Sequence, residues 1–424
     1  MTHRRRVVGF TAGAFFGLAL KYSMLFYMGV LDMKAYYLWF GKRALEVGLV
    51  RSYQGIYFPL QYQLFELCAW IVQRLGIQFF TVYKLSNLGF DLAAFVVLIA
   101  LLRRQNSNIF YALLYWLHPW FLAMFSLGYV DFQFTALVLL SVWLLRGDRP
   151  GDYLLSGTAL GAAFVMKPQV QILVVAIGLF VLFRFLRTRD VRSAVVLFGP
   201  VVFFAGYEIY FTFFGHVHPW YVAALVLPRS YLNVSNVMPR LTAQMTNIWY
   251  PIAYLLKGPG QHVYNVRDQI QLVSFVSVKH VAAAVVLILV AIHVRRIEAH
   301  QGELVSDKLL RVFGFASLVV PFVMTSAHEN HLFLGTTFVV LLIARPISIG
   351  PKVAGHVLLI VQFLHLFSLY GEHPVWLARL LRPTQSDELA IVYSIVSLLC
   401  FCFLLKPLWA HCKPANVPAI TAPG

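Results

Sequence analysis

The chain has 424 residues, of which 60% are hydrophobic and 12% are charged, and its mean hydropathy is +0.74. Apolar runs of roughly 17–25 residues recur from end to end, which excludes an ordinary soluble fold and indicates a polytopic membrane protein. The net charge of +17 comes from cations that flank these runs, so topology and anionic lipid account for it better than nucleic acid does. The four cysteines have neither metal nor disulfide spacing.

The apolar pattern predicts an all-α fold with about 11–13 transmembrane helices. The predicted spans lie near residues 7–30, 80–102, 108–127, 132–145, 153–167, 170–184, 193–214, 270–294, 312–326, 332–345, 353–370 and 389–405. We divide the chain into a transmembrane module at 1–214 with a first outer loop at 31–79, an outer loop at 215–269, a C-terminal transmembrane module at 270–408, and a disordered Pro- and Ala-rich tail at 409–424.

Residues 59–76 could span the membrane or lie at its interface. If they do not span, the short Arg-rich loops all fall on one side, as the positive-inside rule requires of cytoplasmic loops. If they span, the later Arg-rich loops face outward. We therefore predict a re-entrant or interfacial helix at 59–76, so that interfacial helices fill the first outer loop. The unusual polar sites then converge on the outer, non-cytoplasmic face.

Asp32 is the first of these polar sites, directly after the first apolar segment. A carboxylate at that depth is costly unless it has a partner or a function. One interpretation is an aspartate that caps the following helix. The one we favour is a catalytic general base, a carboxylate that takes a substrate proton. The aromatic residues Tyr36, Trp39 and Tyr57 follow and are candidate substrate contacts.

Two further sites lie at predicted helix ends. Asp131 and Gln133 stand at a helix mouth, where the aspartate could cap the helix or both could contact sugar or acceptor. Lys167 and Gln169 flank a proline that interrupts an apolar stretch, and membrane proteins tolerate such breaks where a cavity is lined. Lys167 could neutralise a lipid-linked phosphate leaving group or could snorkel to the headgroups.

The run His328-Glu329-Asn330-His331 lies at the outer end of a span. The HExxH pattern of zinc proteases is absent, so we expect no metal site. We favour histidines that contact a lipid phosphate, and ordinary loop packing is the alternative. The outer loop is rich in aromatic residues and carries Arg240, which suits sugar stacking and anion contact, although an amphipathic interfacial helix would have the same composition.

Taken together, these residues resemble the GT-C superfamily of polytopic glycosyltransferases that use polyprenyl-phosphate sugars, in particular its branch of dolichyl-phosphate-glucose-dependent glucosyltransferases. That branch carries an acidic residue after the first helix and then a Tyr-Pro-Pro-Leu run, which Asp32 and Tyr57-Phe58-Pro59-Leu60 resemble. Its Asp-His/Tyr-Gly-His-Phe-Gln-Tyr-Asn motif is similar to residues 128–135. Its Lys-Gln, Asn-Phe-Trp and His-Glu-Lys motifs are similar to Lys167-Pro168-Gln169, Asn247-Ile248-Trp249 and His328-Glu329-Asn330.

The resemblance covers roughly residues 30–335, with the motifs in the family's order. It implies a GT-C fold, Asp32 as the base, and inversion at the anomeric carbon without a metal. It also implies that Lys167 and His328 lie near the donor phosphate. We add Gln169, His331 and Arg240 as candidate contacts of the donor or its phosphate. Our candidate substrate contacts are Tyr36, Trp39, Tyr57, Asp131, Gln133, Asn247, Trp249 and Glu329. Asn330 stands where the family has a lysine, and Asp131 comes later in its motif than the family's acid. The His-Glu-Asn-His form also resembles bacterial GT-C members.

We therefore expect a monomeric enzyme that moves a hexose, such as mannose or glucose, from a polyprenyl-phosphate donor to a lipid-linked or glycan acceptor. The reaction would take place at the non-cytoplasmic face of a bacterial plasma membrane, with the endoplasmic reticulum as the alternative compartment. The alternative functions are a lipid-linked sugar transporter or flippase without chemistry, and a structural subunit of an envelope complex. Transporters usually show internal repeats and polar sites at the bilayer midplane, and we find neither.

Overall fold

The computed structural model describes residues 3–30, 32–147, 149–214, 225–230, 239–300, 303–370 and 386–409. The helices of these residues are α1 (His3–Met24), α2 (Leu38–Val47), α3 (Leu49–Ser52), α4 (Pro59–Leu75), α5 (Phe79–Arg104), α6 (Tyr111–Leu117), α7 (Pro119–Leu127), α8 (Asp131–Leu144), α9 (Pro150–Phe164), α10 (Gln171–Thr188), α11 (Phe198–Phe214), α12 (Trp249–Leu256), α13 (Val278–Ala299), α14 (Val305–Val323), α15 (Phe333–Ile343), α16 (Ile349–Tyr370) and α17 (Asp387–Trp409). A π-helix covers Met33–Tyr37, and 3-10 turns cover Pro168–Val170, Arg192–Leu197, Val263–Asn265 and Glu329–Leu332.

Long apolar helices dominate this architecture, so the prediction of an all-α polytopic membrane protein is confirmed. Seven helical segments of the described residues are long and apolar enough to cross a membrane, and they contain α1, α5, α10, α11, α13, α16 and α17. Two shorter apolar helices, at Asp131–Leu144 and Glu329–Ile343, add to this set. The total of about 11–13 spans and the division into modules stay predictions. The tail after Trp409 and most of residues 215–238 lie outside the described residues.

Three predicted spans differ from the structure in their bounds. The span at 108–127 is two helices, because Pro119 has no N–H to continue α6 and instead begins α7, while His118 Nδ1 accepts the Trp120 N–H at 3.2 Å. The span at 270–294 begins only at Val278, since the preceding residues form an antiparallel hairpin of β1 (Gln271–Val273) and β2 (Val276–Ser277). The span at 312–326 begins earlier, at Val305.

The first outer loop is helical, as predicted, and folds back on itself. Helices α2 and α4 cross closely at Gly41, where a Cβ would stand 2.3 Å from the carbonyl oxygen of Phe65. By length and composition α4 is not among the candidate spans of the described residues. This agrees with an interfacial helix at 59–76, and its position in the membrane stays a prediction.

Helices α9 and α11 approach each other through small residues. A Cβ at Gly157 would stand 2.2 Å from the carbonyl oxygen of Val196, and a Cβ at Gly199 would stand 2.0 Å from that of Gly157. Gly157 and Gly161 form a Gly-xxx-Gly stripe, the pattern that lets membrane helices pack backbone against backbone. Van der Waals contact at this crossing therefore depends on the absence of side chains.

We expect Gly199→Leu to lower the melting temperature of the purified protein, because the new side chain must separate α9 from α11. Overpacking of this kind costs about 1–3 kcal/mol or more. The matched control is Gly206→Leu on the same helix, where nothing lies within 4 Å of an added Cβ. Thermal unfolding in detergent measures both, and equal melting temperatures would contradict the close crossing.

Candidate functional site

The centre of the polar cluster is a buried ion pair between Asp131 and Lys167. Asp131 is the first residue of α8, and its Oδ1 lies 2.9 Å from the Lys167 Nζ. Its Oδ2 accepts a hydrogen bond from Asn330 Nδ2, also at 2.9 Å. Both charged side chains are buried. Lys167 therefore does not snorkel to the headgroups, and Asp131 binds side chains of other segments rather than capping its own helix.

Glu329 forms a second buried acidic group next to this pair. Its Oε1 accepts hydrogen bonds from the hydroxyls of Tyr129 and Tyr370, the latter at 2.7 Å. Its Oε2 is buried and has no hydrogen-bond partner among the described residues. His328 Nδ1 lies 3.9 Å from this oxygen. Glu329 is thus held at one oxygen and presents the other toward His328.

Asp32 is the one carboxylate of the three that is not buried. It is half-buried, and its side chain makes no capping hydrogen bond to the π-helix that follows, which excludes the interpretation of Asp32 as a helix cap. Burial and the nearby charge of Glu329 raise the pKa of Asp32. Asp32 is therefore an accessible carboxylate whose proton affinity is increased by a second acid.

His328 and His331 face each other across the same turn, with ring centroids 5.2 Å apart. Burial lowers the pKa of His328, although Glu329 partly offsets it. A lowered pKa leaves this imidazole neutral at neutral pH, so it acts as a hydrogen-bonding group rather than a fixed cation. In the part of the chain that the structure describes, no three His, Cys, Asp or Glu side chains group as a metal site would require.

Backbone contacts bring the distant segments of the site together. The N–H of Phe58 donates to the carbonyl of Met166 at 3.2 Å, which ties the first outer loop to the break before Pro168. The N–H of Val30 donates to the carbonyl of Leu127 at 2.9 Å. Gly128, with φ +77°, leaves room for the Met33 side chain, whose Cε would stand 1.4 Å from an added Cβ. Asp32 is therefore positioned from both sides.

Several predicted contacts lie at the edge of the cluster or on its surface. The Tyr57 hydroxyl lies 3.3 Å from that of Tyr37. Tyr36 and Trp39 are 50% and 44% exposed on the outside of the first loop. The Gln169 amide is buried, and neither its nitrogen nor its oxygen has a hydrogen-bond partner among the described residues. Their roles as substrate contacts stay predictions, and the amide of Gln169 is available to a ligand.

Other predicted contacts are already engaged by the protein. Gln133 donates to the Tyr83 hydroxyl at 3.1 Å and to Asn87 Oδ1 at 2.7 Å. The Asn247 amide donates to the carbonyl of Pro321 at 3.2 Å, and Trp249 Nε1 donates to that of Val323 at 2.6 Å, so both satisfy the free carbonyls at the end of α14.

The Arg240 guanidinium stacks on the ring of Tyr264 at 4.5 Å. Like Gln133, Asn247 and Trp249, it has a contact within the protein that accounts for its position. Contact of these four residues with substrate stays a prediction.

Residues that we did not single out from the sequence complete the cluster. Tyr129 lies inside the 128–135 motif, two residues before Asp131. This position beside the motif's acid is the sequence signal that could have marked Tyr129 as part of the site. Asn330 was noticed only as a departure from the family's lysine. Tyr370 is the last residue of α16, and nothing in the sequence marks it as a partner of Glu329. The π-helix after Asp32 is also new, and π-segments are frequent at functional sites.

No family model matches the chain, and no curated protein matches it. Solved structures that are similar to it include two of ArnT. A crystal structure of ArnT from Cupriavidus metallidurans bound to undecaprenyl phosphate is 13% identical, with a TM-score of 0.49 over 96% of this chain and 77% of that one. The apo state of ArnT from the same organism is 16% identical, with a TM-score of 0.37 over 95% and 77%. With TM-scores below 0.5, neither likeness assigns a family or an activity to this chain.

We expect Lys167→Met to destabilise the protein strongly, since it leaves Asp131 buried with an uncompensated charge. Breaking one side of a buried pair costs about 3–5 kcal/mol. The double variant Asp131→Asn/Lys167→Met should regain part of this loss. Lys257→Met is the control, because Lys257 pairs with Asp387 at 2.6 Å but both side chains are partly exposed. Melting temperatures of the wild type, Asp131→Asn, Lys167→Met and the double variant give the coupling, and additive effects of the two single changes would contradict it.

Proposed function

We propose that this chain is a GT-C type glycosyltransferase that moves a sugar from a polyprenyl-phosphate donor to an acceptor hydroxyl, with Asp32 as the general base. The observation that carries this proposal is the difference between the three carboxylates of the site. Asp131 and Glu329 are buried and bound by other side chains. Asp32 is half-buried, and its side chain makes no capping hydrogen bond to the helix that follows. Its lone pairs are therefore available for a substrate proton.

The environment of Asp32 suits proton abstraction. A general base works best when its pKa lies near the operating pH, and an ordinary aspartate is far below it. Burial and the charge of Glu329 move the pKa of Asp32 upward, in the required direction. As the acceptor oxygen attacks the anomeric carbon, Asp32 takes its proton, the bond from sugar to phosphate breaks, and the polyprenyl phosphate leaves with the electron pair.

The leaving phosphate needs donors rather than a base, and we assign it to the side of the site that holds Lys167. The Gln169 amide has no protein partner there among the described residues, so its N–H groups can donate to phosphate oxygens. Neutral His328 supplies another donor. Lys167 remains paired with Asp131 and acts on the phosphate through its positive charge without contacting it. This arrangement stabilises developing negative charge electrostatically and does not call on a metal.

The finer assignments belong to the same proposal. We infer a hexose donor, a lipid-linked or glycan acceptor, and inversion at the anomeric carbon, because one base and no covalent nucleophile are used. From the positive-inside rule applied to the Arg-rich loops, we infer that the polar cluster faces the non-cytoplasmic side. We place the enzyme in a bacterial plasma membrane, where a lipid donor would enter sideways between helices.

We expect Asp32→Asn to fold normally and to lose about 10²- to 10⁴-fold in transfer rate, the usual contribution of a general base. The measurement is transfer by the purified protein from polyprenyl-phosphate mannose, glucose and arabinose to a membrane-lipid extract. The control is Glu46→Gln, a carboxylate of the same outer loop that is 3.6 Å from Arg43 and exposed. It should retain wild-type activity.

Two results, one from this assay and one from a vesicle transport assay, would contradict the base assignment or the reaction class. Full activity of Asp32→Asn would remove Asp32 as the base. A folded wild-type protein that carries labelled polyprenyl-phosphate sugar across vesicle membranes without transferring it to any acceptor would instead indicate a transporter. The donor that supports transfer identifies the sugar.

We also expect a specific pH dependence. Asp32 must be deprotonated to act, so kcat/KM should fall as the pH drops through its raised pKa, above the ordinary value of 3.8. Glu329→Gln removes the neighbouring negative charge, lowers the pKa of Asp32 and should move this acid limb to lower pH. Glu46→Gln should leave the limb in place. If the acid limb of kcat/KM in Glu329→Gln remains at the same pH or moves to higher pH, the coupling of the two acids is contradicted.

A further inference from the structure

A cavity of about 360 Å³ lies at the end of the bundle opposite to Asp32. Four helices run between the two places. Helix α8 begins at Asp131, α10 begins shortly after Lys167, α13 follows the hairpin of the outer loop, and α14 ends just before His328. The cavity is lined by residues at the other ends of these same helices. With 18 residues, α10 alone separates the ends by about 27 Å, close to the thickness of a bilayer core.

The lining of this cavity is rich in cations. Arg146 follows α8, Arg184 and Arg187 lie in the last turns of α10, and Lys308 lies in the first turns of α14. The acids of the lining are Glu298 and Glu303. Four cations thus face two carboxylates.

Part of this charge is compensated within the protein. Lys308 Nζ lies 3.3 Å from Glu298 Oε2, and Arg187 lies 4.0 Å from the other oxygen of the same carboxylate and donates to the Glu298 carbonyl. Arg311, from outside the lining, binds Glu303 at 2.9 Å. Asp190, also outside the lining, lies 3.6 Å from Arg184. These two outside charges cancel each other, so the excess of positive charge inside the cavity remains.

Arg146 is the cation of this set with the greatest freedom to bind an anion. Its guanidinium stacks on Trp143 at 4.3 Å, and it makes no ion pair with a carboxylate of the described residues. Stacking on an aromatic ring orients the planar fork of an arginine without using its N–H groups. A guanidinium held this way presents several donors to one phosphate.

Exposed apolar side chains lie next to the cations of this cavity in the sequence, and one of them, Leu304, is part of the lining. Phe185 and Leu186, between the two arginines of α10, are 37% and 55% exposed, and Leu304 is 61% exposed. Exposed apolar groups next to cations match a ligand that has a charged head and acyl chains. Basic pockets between transmembrane helices bind anionic lipid headgroups by this combination, and the volume lies within the usual range of small-molecule sites.

We propose that this cavity binds the phosphate of an anionic lipid headgroup from the leaflet opposite to the Asp32 site. The ligand chemistry is a phosphodiester on acyl chains, with the phosphate on Arg146 and the arginines of α10 and the chains against the exposed apolar residues. The site is about one bilayer thickness away from the proposed sugar transfer. Its test measures lipid binding and therefore does not depend on whether sugar transfer occurs.

Native mass spectrometry of the full-length chain, titrated with phosphatidylglycerol or with phosphatidylcholine of the same acyl chains, tests the proposal. We expect phosphatidylglycerol to bind more tightly. Arg146→Gln should weaken it by about tenfold, as expected for the loss of a charged hydrogen bond. Arg146 is exposed, so this variant should fold, and Arg146→Lys should retain part of the affinity. The matched control is Arg295→Gln, an exposed arginine at the same end of the bundle and outside the cavity lining, which should bind as the wild type does.

Three results would overturn the proposal. The first is equal affinity for the two lipids, and the second is equal loss in Arg146→Gln and Arg295→Gln. The third is competition by glycerol 3-phosphate or inorganic phosphate at concentrations similar to that of the lipid, which would replace the lipid by a soluble phosphate as the ligand. Failure of sugar transfer in the Asp32 experiments would leave these results unaffected.

Discussion

The buried contact of Asp131 with Lys167 and Asn330 is the constraint on which the candidate site depends. It joins three segments that are far apart in the sequence: the start of α8, the break before Pro168, and the turn at Glu329–Leu332. A buried ion pair of this kind adds little net stability compared with a well-packed apolar core, but leaving either charge alone is expensive. The three segments are therefore restricted to one relative arrangement, which places Glu329 where its charge acts on Asp32.

The three carboxylates of the site are distinguished by their partners. Asp131 is compensated by a cation and an amide, and Glu329 by two tyrosine hydroxyls, so both can stay buried. Asp32 is the least buried of the three, and its side chain makes no capping hydrogen bond. The buried acids contribute to the electrostatic potential at Asp32, whereas Asp32 is the group that can exchange a proton. A pair of acids with different environments is a common way to obtain one group with a raised pKa.

The sequence was sufficient for the fold class and for the positions of most helices, because apolar runs and prolines act locally. It also singled out the polar segments that the structure brings together around Asp131 and Glu329. It could not determine which side chains pair, since Asp131 with Lys167 and Glu329 with Tyr370 are contacts across long separations. Asn247 and Trp249 show the opposite case, where a motif that suggested substrate contact satisfies the carbonyls at the end of α14. The hairpin before α13 interrupts a segment that hydropathy alone extends into the helix.

The placement of charge along the bundle bears on the choice between transfer and transport. Inside the long apolar helices, Lys21 is buried in an ion pair with Asp91, to which Tyr115 also donates. Lys84 donates to the carbonyls of Met24, Tyr27 and Ser126. These intramembrane cations are used to hold helices and loops together, so they offer no free charge to a phosphate that would pass between the leaflets. The proposed sugar transfer at the Asp32 end would require no such passage, because the carrier phosphate would enter and leave at the same face. The charge distribution therefore favours chemistry at one end of the bundle over movement of a lipid-linked phosphate through it.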